Sequence, residues 1–194
     1  MNAERETALP DAYPVEHLFE DAKYFLHAAR QYEATHEEKS RRYVRACIVT
    51  AFTALEAWAN FLCFWIAEHG DVERHEEAFL REQRLDFTEE GYFTLRGSRF
   101  NSLEQKIRFL HWHSNGVPIP RDDVVWASFL QAKKIRDRIV HPKPGQVHYS
   151  RQTVASAKSC LLAITKVVEM LSLAEHLGAR ATRQGTLGST GQER

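Results

Sequence analysis

The segment KKIRDRIVHPKP, residues 133–144, gathers five cationic side chains and a histidine around the end of one helical stretch. Arg136 carries a planar guanidinium, which can hold a phosphate through two parallel hydrogen bonds and stabilise charge that builds on it. His141 comes after four intervening residues and carries an imidazole, the commonest general acid or base. Lys133, Lys134, Arg138 and Lys143 add positive charge that would attract a nucleic-acid backbone. Together these are the parts of a metal-independent phosphodiester cleavage. An ordinary helix terminus gathers the same types, since Lys and Arg are favoured in last turns.

Spacing decides whether Arg136 and His141 can act at one point. A five-residue step on an ideal helix turns through about 500°, leaving the two side chains about 140° apart. Pro142 disfavours the α conformation at the residue before it, so the expectation is that His141 leaves the helical path and swings back toward Arg136. Asp137, four residues before His141, is placed to hydrogen-bond the imidazole and fix its tautomer.

These residues need a frame, and nearly every long segment has helical periodicity. Val15, Leu18, Phe19, Ala22, Phe25, Leu26, Ala29 and Tyr32 recur at spacings of three and four and predict a first amphipathic helix. Thr35 with Glu38 forms a capping-box pattern for a second helix running to His69, with Gly70 as its stop. Asp71 is placed to cap a shorter helix reaching about Arg84. LDFT and YFTL alternate around EEG and predict a small hairpin or an irregular insertion in place of helix. Helix resumes at Asn101, with Glu104 three residues on, and stops at HSNGVPIP. A fifth helix from about Arg121 carries Val125, Trp126, Phe129 and Leu130 into the basic segment, and Ser150 is placed to cap a last one. The expected fold is all-α: an antiparallel bundle of four main helices with a shorter helix or hairpin insertion. From Gly178 the apolar residues almost vanish, so 178–194 reads as a disordered tail behind a helical domain over 12–177.

Composition bounds the rest. The 194 residues suit one domain. Lys plus Arg equals Asp plus Glu at 26 each, so no global field draws the chain to anionic partners, and a local patch must do so. Cys47, Cys63 and Cys160 are odd in number and set among apolar residues, the pattern of reduced core thiols in a cytoplasmic protein. No basic region followed by an apolar stretch marks the N-terminus as a secretory signal. Val49 to Ala67 approaches the length of a membrane span, but Glu56 and Asn60 in its middle favour the core helix of a soluble protein, buried nearly all round. His111 and His113 leave a helix end toward different faces, so no metal site is expected there. No Gly-rich phosphate loop or nucleophile elbow is present, which leaves nucleotide-driven and acyl-transfer chemistry without support.

The string Arg136-Asp137-Arg138-Ile139-Val140-His141 resembles the signature of the HEPN superfamily, in which an Arg followed by a polar residue precedes a His by four to six positions. AFTALEAWANFLCFW, with Glu56 and Asn60 one turn apart, is similar to a second helix of such proteins. The resemblance implies a helical bundle that pairs as a homodimer across two copies of the motif. It also implies endoribonuclease activity without a cofactor or metal, in toxin, phage-defence or RNA-processing systems. His141 would transfer protons, Arg136 would stabilise the phosphate and Asp137 would position them. Glu56, expected to be buried and so to need a partner, would either hold the Arg136 guanidinium, with Asn60 in support, or bond a backbone group or another basic residue on a neighbouring helix. A cognate antitoxin or other regulatory protein would be a partner. Toxins paired with a nucleotidyltransferase often carry a Tyr two residues after the His; Lys143 stands there, which argues against control by modification of that position. Other relatives have lost activity and serve as RNA- or protein-binding modules.

Overall fold

The structure, a computed structural model, describes residues 15–142 and 152–172. Lys143, Ser150 and the expected tail at 178–194 lie outside the described residues. In chain order the elements are α1 (Val15–Tyr32), α2 (Glu37–His69), α3 (Arg74–Leu80), β1 (Gln83–Phe87), β2 (Phe93–Ser98), α4 (Leu103–Asn115), α5 (Val124–Val140) and α6 (Val154–Ser172). The described residues are mostly helical, and the long helices number five rather than four, because α4 is a full helix of 13 residues.

The chain falls into two compact units. The first takes the sequence up to Leu55 together with Ala132–Leu162, and the second takes Glu56–Gln131 with the chain from Ala163. In the first unit Ala22, Leu26, Ala29, Val44, Ile48 and Leu55 are buried, the core expected from their helical spacing. The buried Ser40 hydroxyl donates to the Ala29 carbonyl at 2.7 Å, joining α2 to α1 across an otherwise apolar contact. Nearby, Tyr43 of α2 stacks on Tyr32 of α1 with ring centroids 5.9 Å apart.

In the second unit the core is built from Leu62, Ile66, Leu110, Trp126, Phe129 and Ile164. Phe79 of α3 stacks on Phe109 of α4 at 4.7 Å, and the Arg108 guanidinium lies 4.6 Å from the Trp126 ring centroid. The hairpin forms where alternation predicts it, antiparallel, with Arg84 opposite Arg96, Leu85 opposite Leu95 and Phe87 opposite Phe93. Its outer rings remain open to solvent: Phe87 is 65 % exposed, Tyr92 58 % and Phe93 54 %.

Helix starts differ from the expected ones by one to three residues. α2 takes its first backbone bond from Ser40 to the His36 carbonyl, one residue past Thr35. α3 is capped by Glu73, whose amide donates to the Glu76 carboxylate at 2.8 Å, and it ends at Leu80 rather than Arg84, because the chain there enters β1. At α4 the cap is Ser102, paired reciprocally with Gln105, in place of Asn101 and Glu104. The Asn101 side chain instead donates to the Phe79 carbonyl at 2.8 Å. α6 is entered through Thr153, bonded both ways with Ser156. Asp123 opens α5 by accepting from the Trp126 amide at 2.7 Å.

Apolar composition over-states the burial of α2. Thr53, Glu56, Asn60 and Phe64 lie on an exposed stripe, with Phe64 61 % exposed. The helix is long and apolar enough to cross a membrane by length and composition, and half of its most apolar window is buried within the protein.

Candidate functional site

Arg136, Asp137 and His141 all lie in the first unit, at the C-terminal end of α5. Ala132 is buried and holds this turn of α5 against the core, while Lys134 and Arg138 are exposed, with no ion-pair partner among the described residues. Arg136 sits between the two environments. Its guanidinium lies 5.2 Å from the ring centroid of Phe52, a buried residue of α2. Phe52 occupies the ladder of core positions along α2, and its ring gives a cation a face to rest on. One nitrogen of Arg136 is 3.3 Å from an Asp137 oxygen, while its Nε is buried and has no hydrogen-bond partner among the described residues. A buried N–H left without an acceptor is unfavourable, and none of the described residues supplies one here.

Asp137 is engaged differently from the sequence expectation. Its second oxygen accepts from the Lys133 ammonium at 2.9 Å, one turn back along α5. Its carboxylate thus joins Lys133 and Arg136, and it makes no hydrogen bond to His141. The i to i+4 geometry suits an ammonium on a long stem as well as an imidazole, and the ammonium carries a full charge.

The expected bend also starts later. The His141 amide still donates to the Asp137 carbonyl at 2.8 Å, so His141 remains on the helical path and the chain departs only after it. Pro142 acts on the backbone beyond the His141 α-carbon, not on where that carbon lies. The Arg136 and His141 side chains therefore leave the helix about 140° apart. His141 is exposed, with no hydrogen bond to its imidazole among the described residues.

Glu56 is exposed rather than buried and has no hydrogen-bond or ion-pair partner among the described residues. Water solvates an exposed carboxylate, which then needs no protein partner. Asn60, in the second unit, serves another cation: its Oδ1 accepts from Lys106 at 2.7 Å. Lys106 is 7 % exposed and also pairs with Glu82 at 3.0 Å. Burial pushes the Glu82 carboxyl up, but the Asn101 amide and the Lys106 ammonium outweigh it and hold the group below its ordinary value. The sequence does carry a signal for this cluster. Lys106 shares the buried stripe of α4 with Leu103, Ile107 and Leu110, where a cation requires partners.

No group of three or more His, Cys, Asp or Glu side chains placed to hold a metal occurs among the described residues. Fold and site together define a mostly helical protein with a basic, histidine-bearing helix end. No protein-family model, curated protein or solved structure matches the chain.

Proposed function

We propose that the chain is a cytoplasmic, metal-independent endoribonuclease of HEPN type, working as a homodimer. The single observation that carries this reading is Arg136: a guanidinium rested on Phe52, with a buried Nε lacking an acceptor among the described residues, five positions before an exposed histidine. A phosphate is the ligand such a fork accepts best. In the proposed reaction the ribose 2′-hydroxyl loses its proton and attacks the adjacent phosphorus. The 5′-oxygen leaves and takes up a proton, giving a cyclic phosphate and a 5′-hydroxyl. His141 serves proton transfer and Arg136 stabilises the charge on the phosphate, with Lys133, Lys134, Arg138 and Lys143 drawing in the strand. Asp137 positions the Arg136 guanidinium.

The helical arithmetic supports a dimer. One chain aims its guanidinium and imidazole in directions about 140° apart, and a second copy is what would set one chain's imidazole opposite the other's guanidinium. Light scattering at micromolar concentration without RNA tests this directly, with a monomer as the contrary result. Cleavage is tested with single-stranded and structured RNA in EDTA. His141→Ala should abolish product while retaining RNA binding, and Arg136→Ala should lower the rate by about 10²–10³-fold. A second reading, an inactive RNA- or protein-binding module, is favoured by the engagement of Asp137 with Lys133, which leaves the imidazole without an orienting carboxylate. Absence of cleavage on every RNA offered, with binding kept, selects that module.

A further inference from the structure

The cluster around Lys106 faces a cavity of about 360 Å³ that lies wholly within the second unit. Its walls include Phe64, Ala67, Leu80 and Cys63, and its polar groups include Asn60, Glu82 and Lys106. Three separate features single it out from an ordinary surface dent.

First, Lys106 is a charge taken almost completely out of water at the edge of empty space. Its ammonium has three N–H groups, of which the Asn60 and Glu82 oxygens engage two. Secondly, Glu82 uses only one carboxylate oxygen. Oε1 takes both Lys106 and the Asn101 amide, and Oε2 has no partner among the described residues. Thirdly, Glu82 stands at φ 52°, the one non-glycine residue in the left-handed region among those described. Backbone strain of this kind persists where the surroundings over-determine it, and it gathers at ligand sites. The strained backbone sets the carboxylate beside the ammonium.

The result is one spare donor and one spare acceptor held side by side, with apolar walls around them and an exposed aromatic ring, Phe64, on the rim. A ligand matching this pattern has an acceptor and a donor adjacent on one rigid, flat edge, and faces that can lie against carbon. Net charge does not call for an anion, because Lys106 and Glu82 cancel and Arg81 already pairs with Glu68 and Glu77.

We infer that this cavity binds a nucleobase, with the Lys106 ammonium donating to a ring acceptor, Glu82 Oε2 accepting from the neighbouring N–H, and Phe64 stacking on the ring. The inference rests on the RNA reading given above and adds to it a place where the strand's bases are read, away from the phosphate chemistry. Lysine donating to base acceptors and carboxylates accepting from base amines are established modes of base recognition, and 360 Å³ falls in the range of small-molecule sites.

The test uses the full chain and the four nucleosides, which carry no phosphate and so do not report on Arg136. Calorimetric titration should detect binding of at least one nucleoside or, in a second arm, of single-stranded oligonucleotides rich in one base. The two arms separate a free nucleoside from a base within a strand. Phe64→Ala, at an exposed position that the fold does not need, should weaken that binding by tenfold or more. Lys106→Met should do the same, and circular dichroism will show whether it is folded. His141→Ala should bind the nucleoside as the parent does, whether or not the parent cleaves RNA, so loss of the ribonuclease reading leaves this result standing. Absence of binding in both arms, or binding unchanged in Phe64→Ala, overturns the proposal.

Discussion

The Lys133 ammonium lies 2.9 Å from the Asp137 carboxylate, one helical turn on, and this pairing commits Asp137 to the cationic side of α5. Asp137→Asn should therefore act on phosphate handling and not on the imidazole. Cleavage is expected to fall by about tenfold or less, the effect of a half-exposed ion pair of about 1 kcal/mol. A loss of a hundredfold or more in the variant would show that Asp137 does more than hold the two cations.

Pro142→Ala bears on the helix end. The His141 amide is already bonded to the Asp137 carbonyl, so replacing the proline changes only the backbone C-terminal to His141. Cleavage within about twofold of the parent is expected, with thermal stability unchanged or slightly higher, since Ala is the best helix former. A large loss of activity with normal stability would mean that the chain beyond Pro142 has to leave the helix for the site to work.

Acidification should release the Glu82 cluster. The folded state holds this carboxyl below its ordinary value of 4.5, so its contribution is fully present above that pH and is lost as pH falls through the lower, folded value. Urea unfolding followed below about pH 4.5 should show this loss. Glu82→Gln should flatten that limb while lowering stability at neutral pH, where Lys106 would lose its counter-charge. An unchanged acid limb in the variant would assign the loss to other carboxylates.

Burial pushes the Cys47 thiol up to about 11 and the Cys63 and Cys160 thiols up to about 12. All three are nearly inert to alkylation at pH 8 on these values, because the thiolate is the reacting species. A maleimide or iodoacetamide series should label none of them in the native protein within minutes and all three in urea. Rapid native labelling of one would locate a region that opens.

Periodicity made α1 and the hairpin legible, because a spacing of three and four or of two is written by the core face itself. Cap positions were less so. At α3, α4 and α6 several polar residues in a row can each cap, and the choice among Asp71 and Glu73, Asn101 and Ser102, or Ser150 and Thr153 depends on what else they touch. Asn101 shows the reason: the Phe79 carbonyl takes its side chain, leaving Ser102 to begin the helix. At the candidate site the order Arg136, Asp137, His141 was visible, but the contest of Lys133 and His141 for one carboxylate was not. Glu56 was misjudged because an apolar helix gives no sign, in composition alone, of which stripe stays wet. Phe52 beneath Arg136 is a contact between distant parts of the chain, with no local trace.

The hairpin has a consequence for handling the protein. Phe87, Tyr92 and Phe93 are open to solvent on a ribbon of only two strands, a type of surface that templates further pairing. Arg84, Arg96, Glu89 and Glu90 lie along the same ribbon, charges of the kind that blunt an exposed sheet edge. Salt at 1 M shortens the reach of those charges to about 3 Å. High ionic strength thus weakens the protection while leaving the rings as sticky as before, and the protein will stay dispersed best in dilute buffer.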